Sequence, residues 1–155
     1  MLRKLELLIP PFVLAVICAV CIWRAPSIWP GGSITFFPFR FVFFLGTLIL
    51  STLLFVACGR VFKKYQTTVS PMHPENASKL ITEGIFKKSR NPIYLAVLIF
   101  LIGWSVYWAH WADFGILAFF VIYMNRFQII PEERALLKLF GTEYSDYCTR
   151  VRRWI

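Results

Sequence analysis

Charge is scarce in this chain of 155 residues: only 16% are Asp, Glu, Lys or Arg, where a soluble domain carries about 25%. Acidic side chains are scarcer still, 8 against 17 basic ones. There are two histidines, His73 and His110, and neither sits in metal-ligand spacing, so no metal is assigned. Of the four cysteines, Cys18 and Cys21 form a C-x-x-C inside an apolar run. With no His or second Cys pair beside them, they read as small apolar residues, and a membrane dithiol oxidoreductase is the least favoured alternative function. The chain has no glycine-rich phosphate loop, no Ser-His-Asp order and no nucleophile elbow, which removes P-loop and serine-hydrolase chemistry. It also lacks internal repeats and low-complexity tracts, so one domain over residues 1–155 is expected.

Apolar residues make up 58% of the chain and aromatic ones 18%, which excludes a disordered chain, and the apolar residues come in blocks long enough to cross a bilayer of about 30 Å. Four spans are expected. Leu5 to Trp23 carries only Glu6 as a charge, with Pro10 and Pro11 setting its entry bend. Its length, and the lack of a small-residue cleavage site before Pro26, argue for an anchor rather than a signal peptide. After the Trp29-Pro30-Gly31-Gly32-Ser33 turn cluster, Phe36 to Cys58 forms the second span, with Arg40 snorkelling near its start. Ile93 to Trp108 and Phe114 to Ile130 form a helical hairpin around a tight Ala109–Asp113 turn. The expected class is all-α, integral and multi-pass.

Basic residues decide the orientation. Arg3 and Lys4 precede the first span, and Arg60, Lys63, Lys64, Lys79, Lys87, Lys88 and Arg90 outweigh Glu75 and Glu83 between the second and third. The Trp108 to Phe114 turn carries only Asp113 and a neutral His110. Both termini and the long loop are therefore expected on the cytoplasmic side. The basic excess reads as affinity for anionic headgroups; with no helix free to enter a groove, nucleic acid is not expected as a partner.

Two polar stretches would then meet at that face. In the first, Asn91 and Pro92 open the third span, Asn91 as a cap and Pro92 at the first helical position. The free amides there, with Arg90 beside them, make an anion site suited to a carboxylate or phosphate. The second runs Arg126-Phe127-Gln128-Ile129-Ile130-Pro131-Glu132-Glu133-Arg134. Pro131 would start a new helix whose dipole the two glutamates complement. Because adjacent helical residues point about 100° apart, one carboxylate is free to turn inward toward a cationic ligand, held by Arg126. Beyond them Leu136, Leu137, Phe140, Tyr144, Tyr147 and Val151 recur at helical spacing, with Gly141 allowing a break. This amphipathic tail is expected to pack as a cover, with Tyr144 and Tyr147 as packing residues.

Together, Gly84-Ile85-Phe86, Arg90-Asn91-Pro92-Ile93-Tyr94, the hairpin, and Glu132-Glu133 leading to Phe140-Gly141-Thr142-Glu143-Tyr144-Ser145-Asp146-Tyr147 resemble the isoprenylcysteine carboxyl methyltransferase family over residues 67–155. That resemblance implies an integral-membrane methyltransferase using S-adenosylmethionine, with its pocket at the cytosolic end of the hairpin. The implied cofactor contacts fall on Lys79, Leu80 and Ile81, largely through backbone, and on Phe86, Asn91, Pro92 and Tyr94, with Arg90 and Glu133 beside them. Glu132, and after it Arg126, are the candidate catalytic residues on the acceptor side. Asn91 stands where the family often has His, Ala96 where it often has Gly, and Gln128 is a candidate for a second basic position. The implied acceptor is a carboxylate, thiol or amine of a lipid-like or small apolar molecule, with membrane lipids as surroundings and no obligate protein partner. A non-enzymatic membrane scaffold is the alternative.

Overall fold

The computed structural model describes residues 6–34, 38–65 and 79–155. Arg3, Lys4, Leu5, Phe36, His73 and Glu75 lie outside the described residues. The described chain is helical, with α1 (Pro11–Ile28), α2 (Arg40–Tyr65), a short 3-10 turn (Gly84–Lys87), α3 (Pro92–Trp108) and α4 (Ala112–Tyr123). A π-helical turn (Met124–Ile129) then leads into α5 (Ile130–Arg150). α1, α2 and the continuous 112–150 helix are long and apolar enough to cross a membrane, and α3 is a shorter apolar helix of 17 residues.

The helices bury little and expose much. In α1 the buried residues are Leu14, Cys18, Ile22 and Ala25, one stripe at helical spacing, while Phe12, Val16, Val20 and Trp23 face outward. α2 buries only Ser51 and Cys58 and exposes Phe41, Val42, Ile49 and Leu53. In water such surfaces would associate; in a bilayer they are the solvent-facing side. Cys18 is buried and Cys21 exposed, so the two thiols lie on different faces. α3 is the central strut, packed against α1, α2 and α4. Its Leu101 joins Leu14, Cys18 and Ile22 of α1 and Phe120 of α4 in the main core.

Two features bring α2 and α3 close. Ser51 Oγ donates to the Ala96 carbonyl at 2.9 Å, crossing between the helices. Gly103 faces Thr47 so tightly that a Cβ there would lie 1.7 Å from Thr47 Oγ1. Small residues at such crossings let helices approach where lipid offers no hydrophobic drive.

At the turn end, Ala109 takes a left-handed φ of 51° to reverse the chain. The hairpin turn is zipped to the segment after α1: Ile34 N donates to Ala109 O at 2.6 Å and Trp111 N to Gly32 O at 3.1 Å. His110, buried, accepts from Ala112 N at Nδ1, and its Nε2 meets the Trp29 carbonyl at 3.1 Å.

Three boundaries differ from the sequence expectation. α1 begins at Pro11 instead of Leu5, because prolines without amide hydrogens fit a first turn and not a helix interior, and it continues past Arg24 and Pro26 to Ile28. α2 starts after Pro38 and runs to Tyr65, carrying Lys63 and Lys64 beyond its apolar stretch. Pro131 starts no separate helix: the π turn just before it carries α4 straight into α5. A wider turn shifts the hydrogen-bond register to i→i+5, which accommodates a residue with no N–H to give. Gly141, at φ 52° and ψ −122°, does kink α5.

Gly103→Ala is expected to lower the thermal unfolding midpoint in detergent, since overpacking a tight crossing costs about 1–3 kcal/mol. Adding Thr47→Ala should recover part of the loss. An unchanged midpoint for Gly103→Ala would mean that the two helices are not in this contact.

Candidate active site

The π turn and the first turn of α3 face one another at the end of the bundle that carries the basic segments. Tyr94, the third residue of α3, is 6% exposed, and its hydroxyl donates to Glu132 Oε1 at 2.5 Å. Gln128 lies one turn before Glu132 and is buried. Its Nε2 donates to the same carboxylate oxygen and to Tyr94 Oη at 3.4 Å. One carboxylate oxygen is thus fixed by two donors from two helices, and Tyr94 itself belongs to the apolar core with Met124 and Ile129. Hydrogen bonds of this kind are the condition for holding a carboxylate at such depth.

Glu133, the next residue, points elsewhere. It pairs with Arg90 at 3.2 Å and with Arg153, whose NH2 lies 2.7 Å from Oε2 and whose Nε donates to Oε1 at 3.1 Å. The Glu133 carboxylate beside Arg153 holds that guanidinium above its ordinary range. Arg90 is anchored on several sides: its amide donates to the Arg152 carbonyl at 3.0 Å, one guanidinium nitrogen reaches Cys148 Sγ, and its Nε is buried with no hydrogen-bond partner among the described residues. The two glutamates therefore serve different partners, as the angle between neighbouring helical residues allows.

Asn91 occupies the cap position of α3, but its side chain makes no cap hydrogen bond. Its Nδ2 donates to the Arg153 carbonyl at 2.9 Å instead, and Ser89 Oγ accepts from the Asn91 amide at 3.1 Å. The cap expected from sequence is thus replaced by a tie to the C-terminal segment, which leaves the first-turn amides of α3 free of a side-chain acceptor. That segment folds back after Val151, and Trp154 Nε1 donates to Asn125 Oδ1 in the π turn at 3.1 Å. Phe86 packs edge-on to Phe62 of α2, with ring centroids 5.6 Å apart, and its carbonyl accepts from Tyr147 Oη at 2.7 Å. Leu80 packs with the buried Tyr144, Tyr147 and Val151, Ile81 is buried, and Lys79 is exposed.

Arg126 differs most from its expected place. Its NH1 lies 2.8 Å from Glu6 Oε1, and Arg134 NH2 lies 2.8 Å from Glu6 Oε2. The two guanidiniums, Arg126 first, hold the Glu6 carboxyl below the usual carboxylate range. Glu6 was expected inside the first span; it precedes α1 and pairs there. Arg126 is spent on that pair, and Tyr94 and Gln128 orient Glu132 in its stead. Of the expected residues, Arg90, Asn91, Pro92, Tyr94, Glu132 and Glu133 come together where α3 meets α5, with Phe86 beside α2 and Lys79 at the surface. Glu6, Arg153 and Trp154 were missed. Nothing local in Arg152-Arg153-Trp154 signals that it folds back.

The sequence pattern of the phospholipid methyltransferase family matches residues 39–143. The chain is 32% identical over 105 residues to a probable protein-S-isoprenylcysteine O-methyltransferase of Oryza sativa subsp. indica, covering 66% of this chain and 52% of that protein. It is 33% identical over 109 residues to protein-S-isoprenylcysteine O-methyltransferase B of Arabidopsis thaliana, covering 69% and 52%. An uncharacterized protein of Haemophilus influenzae is 35% identical over 63 residues, 41% of this chain and 100% of that protein. The chain thus spans about half the length of the two plant relatives. No solved structure matches it.

Glu133→Gln removes the charge that holds Arg153. Trypsin cleavage after Arg152 or Arg153 is expected to quicken about tenfold, the factor that ~1.4 kcal/mol of weakening gives. Cleavage at the wild-type rate would show that the ion pairs do not hold the tail.

Proposed function

Because the chain belongs to the phospholipid methyltransferase family, we propose that it is an integral-membrane methyltransferase that moves a methyl group from S-adenosylmethionine to a lipid-like acceptor. The observation that carries the reading is the carboxylate of Glu132, held by Tyr94 and Gln128, directly beside the Arg90–Glu133–Arg153 cluster at the first turn of α3. The basic end of the bundle faces the cytoplasm, by the positive-inside rule.

The residues present fit the cofactor's polar end. Arg90 keeps a buried Nε without a partner among the described residues, and the first-turn amides of α3 carry the positive end of its dipole. These would take the cofactor's carboxylate, and Glu133 would balance its ammonium. When bound, S-adenosylmethionine supplies an electrophilic methyl on a sulfonium, so no protein nucleophile is needed. The chain's own work is to align the acceptor and exclude water. Tyr94 and Gln128 fix one oxygen of Glu132, which orients the other toward the acceptor. An apolar groove of about 530 Å³ between α1 and α2 is lined by Ala15, Ala19, Phe55, Val97 and Trp104. Val97 is one turn from Tyr94 on α3, so the groove would take the acceptor's hydrocarbon chain close to Glu132.

Local charge favours an amine among the possible acceptor groups. Arg126 and Arg134 are paired with Glu6, and Arg90 and Arg153 with Glu133, whereas among the described residues the Glu132 carboxylate is held by the neutral Tyr94 and Gln128. A second carboxylate would be repelled there; an ammonium would be attracted, and Glu132 would take its proton first, freeing the nitrogen lone pair that attacks the methyl while the sulfur leaves as a neutral thioether. The names of the plant relatives favour the other reading, a prenylcysteine carboxylate.

Wild-type protein is expected to bind S-adenosylhomocysteine, and absence of binding would sink the proposal. Arg90→Gln should weaken that binding about tenfold or more. Glu132→Gln should leave it nearly unchanged while slowing methyl transfer about 100-fold. Labelled methyl offered to phosphatidylethanolamine and to an S-prenylated N-acetylcysteine decides between the acceptors: faster labelling of the second would refute the charge argument.

A further inference from the structure

We propose that Glu6 is a positioning residue for Glu132, acting as a strap that holds the π turn in register; this rests on the catalytic reading of Glu132. The segment before α1 grips the π turn at two adjacent residues. Leu7 N donates to the Phe127 carbonyl at 2.9 Å, with Leu7 in the left-handed region at φ 58°. Phe127 is the residue whose carbonyl would bond the amide of residue 131 in a regular α-helix, and residue 131 is a proline with no amide hydrogen. The strap therefore brings a donor to a carbonyl at the junction of the wide turn and the regular helix, beside a proline that has no amide hydrogen to give. Glu6 adds the second grip, one carboxylate oxygen on Arg126 and the other on Arg134, and its side chain is 13% exposed.

The spacing of those arginines makes the grip specific. Eight residues of uninterrupted α-helix would place Arg126 and Arg134 about 80° apart around the axis. The extra residue of a π turn takes back about 100° over the whole turn, and the part of it after Arg126 takes back much of that angle, which brings the two guanidiniums toward one face, where one carboxylate spans both. Glu6 can engage both arginines only while the wide turn persists. If the turn relaxed to α-helix, everything after it would rotate by about one residue relative to α4. The Glu132 carboxylate would then leave the Tyr94 hydroxyl that fixes it. The left-handed Leu7 is a strained conformation for a branched side chain, and it persists because these contacts over-determine it.

The test compares Glu6→Gln with wild type in full-length protein, reading three quantities per folded molecule: S-adenosylhomocysteine affinity, kcat with the better of the two acceptors named above, and hydrogen exchange across residues 123–135. The expected result is a kcat lower by about 10- to 100-fold, affinity unchanged, and exchange about tenfold faster confined to the π turn. A merely structural role would lower the folded yield and leave kcat per folded molecule at the wild-type value, which overturns the proposal, as does unchanged exchange. If Glu6→Gln does not fold, Arg134→Gln, which removes one leg of the grip at an exposed site, decides by the same criteria. If wild type methylates neither acceptor, the functional reading fails on its own, and exchange alone decides the strap: faster exchange at the π turn supports it and wild-type exchange overturns it.

Discussion

A proline cannot give its amide hydrogen to the helix that contains it, and at Pro131 that deficit falls between the lipid-crossing part of the last helix and its polar continuation. A break there would have let the tail swing away from the bundle. The π turn over Met124–Ile129 instead keeps the helix running from Ala112 to the Gly141 kink, and four of its consecutive residues reach five partners: Asn125 to Trp154, Arg126 to Glu6, the Phe127 carbonyl to Leu7, and Gln128 to Glu132 and Tyr94. A wide turn spreads its side chains differently from an α turn. Here that spread ties the N-terminal segment, the C-terminal segment and α3 to one place. The candidate site depends on this knot more than on any single ion pair, since each pair alone is partly exposed and would contribute little.

The bilayer supplies the other constraint. With so little of α1 and α2 buried against protein, the helices have few ways to specify their neighbours by apolar contact, because lipid tails solvate Leu and Phe as well as another helix does. Specificity falls to close approach and to isolated hydrogen bonds: Gly103 against Thr47, Ser51 on the Ala96 carbonyl, and Trp104 Nε1 on the Ala19 carbonyl at 3.0 Å. Most of the described charged side chains collect at one end, where water and headgroups lower their cost, while Arg24, Arg40 and Asp113 lie toward the other. The turn end is closed by backbone hydrogen bonds and by His110 and Asp113, both buried.

Much of this was legible in the sequence, for reasons that differ by element. The apolar blocks have the length a membrane demands, so the all-helical class, the hairpin and its Ala109 turn followed directly, and α3 lies within a residue of its expected start. Helix ends were less legible where proline and charge compete: Pro10 and Pro11 moved the start of α1, and the lysines after Cys58 continued α2 instead of stopping it. The Glu132–Glu133 pair was visible as a pair of carboxylates at the membrane surface. Which partners they take was not, because these come from residues 38 positions away at Tyr94, 43 at Arg90 and 20 at Arg153. Arg126 illustrates the limit. Its nearness in sequence to Glu132 suggested a pair, but the helix turns it toward a glutamate 120 residues earlier.

The division of labour between Glu132 and Glu133 follows from helix geometry and bears on how the site would act. Neighbouring residues on a helix diverge by about 100°, so two adjacent carboxylates cannot serve one ligand from one side. Glu133 faces two guanidiniums and is charge-balanced, which suits it to holding a zwitterionic cofactor end and the C-terminal segment in place. Among the described residues, Glu132 is held by neutral donors on one oxygen, so its charge would act on whatever lies against the other oxygen. A charged group placed there would meet the ionised carboxylate in a medium of low dielectric, where such an interaction counts for more than in water. The same arrangement that lets a protein keep a carboxylate at this depth, two neutral donors on one oxygen, leaves the other oxygen to face a ligand, and on the proposed reading that oxygen would discriminate among acceptors. Selectivity for the acceptor would thus arise from the neutrality of the donors that hold Glu132 as much as from any contact the site makes.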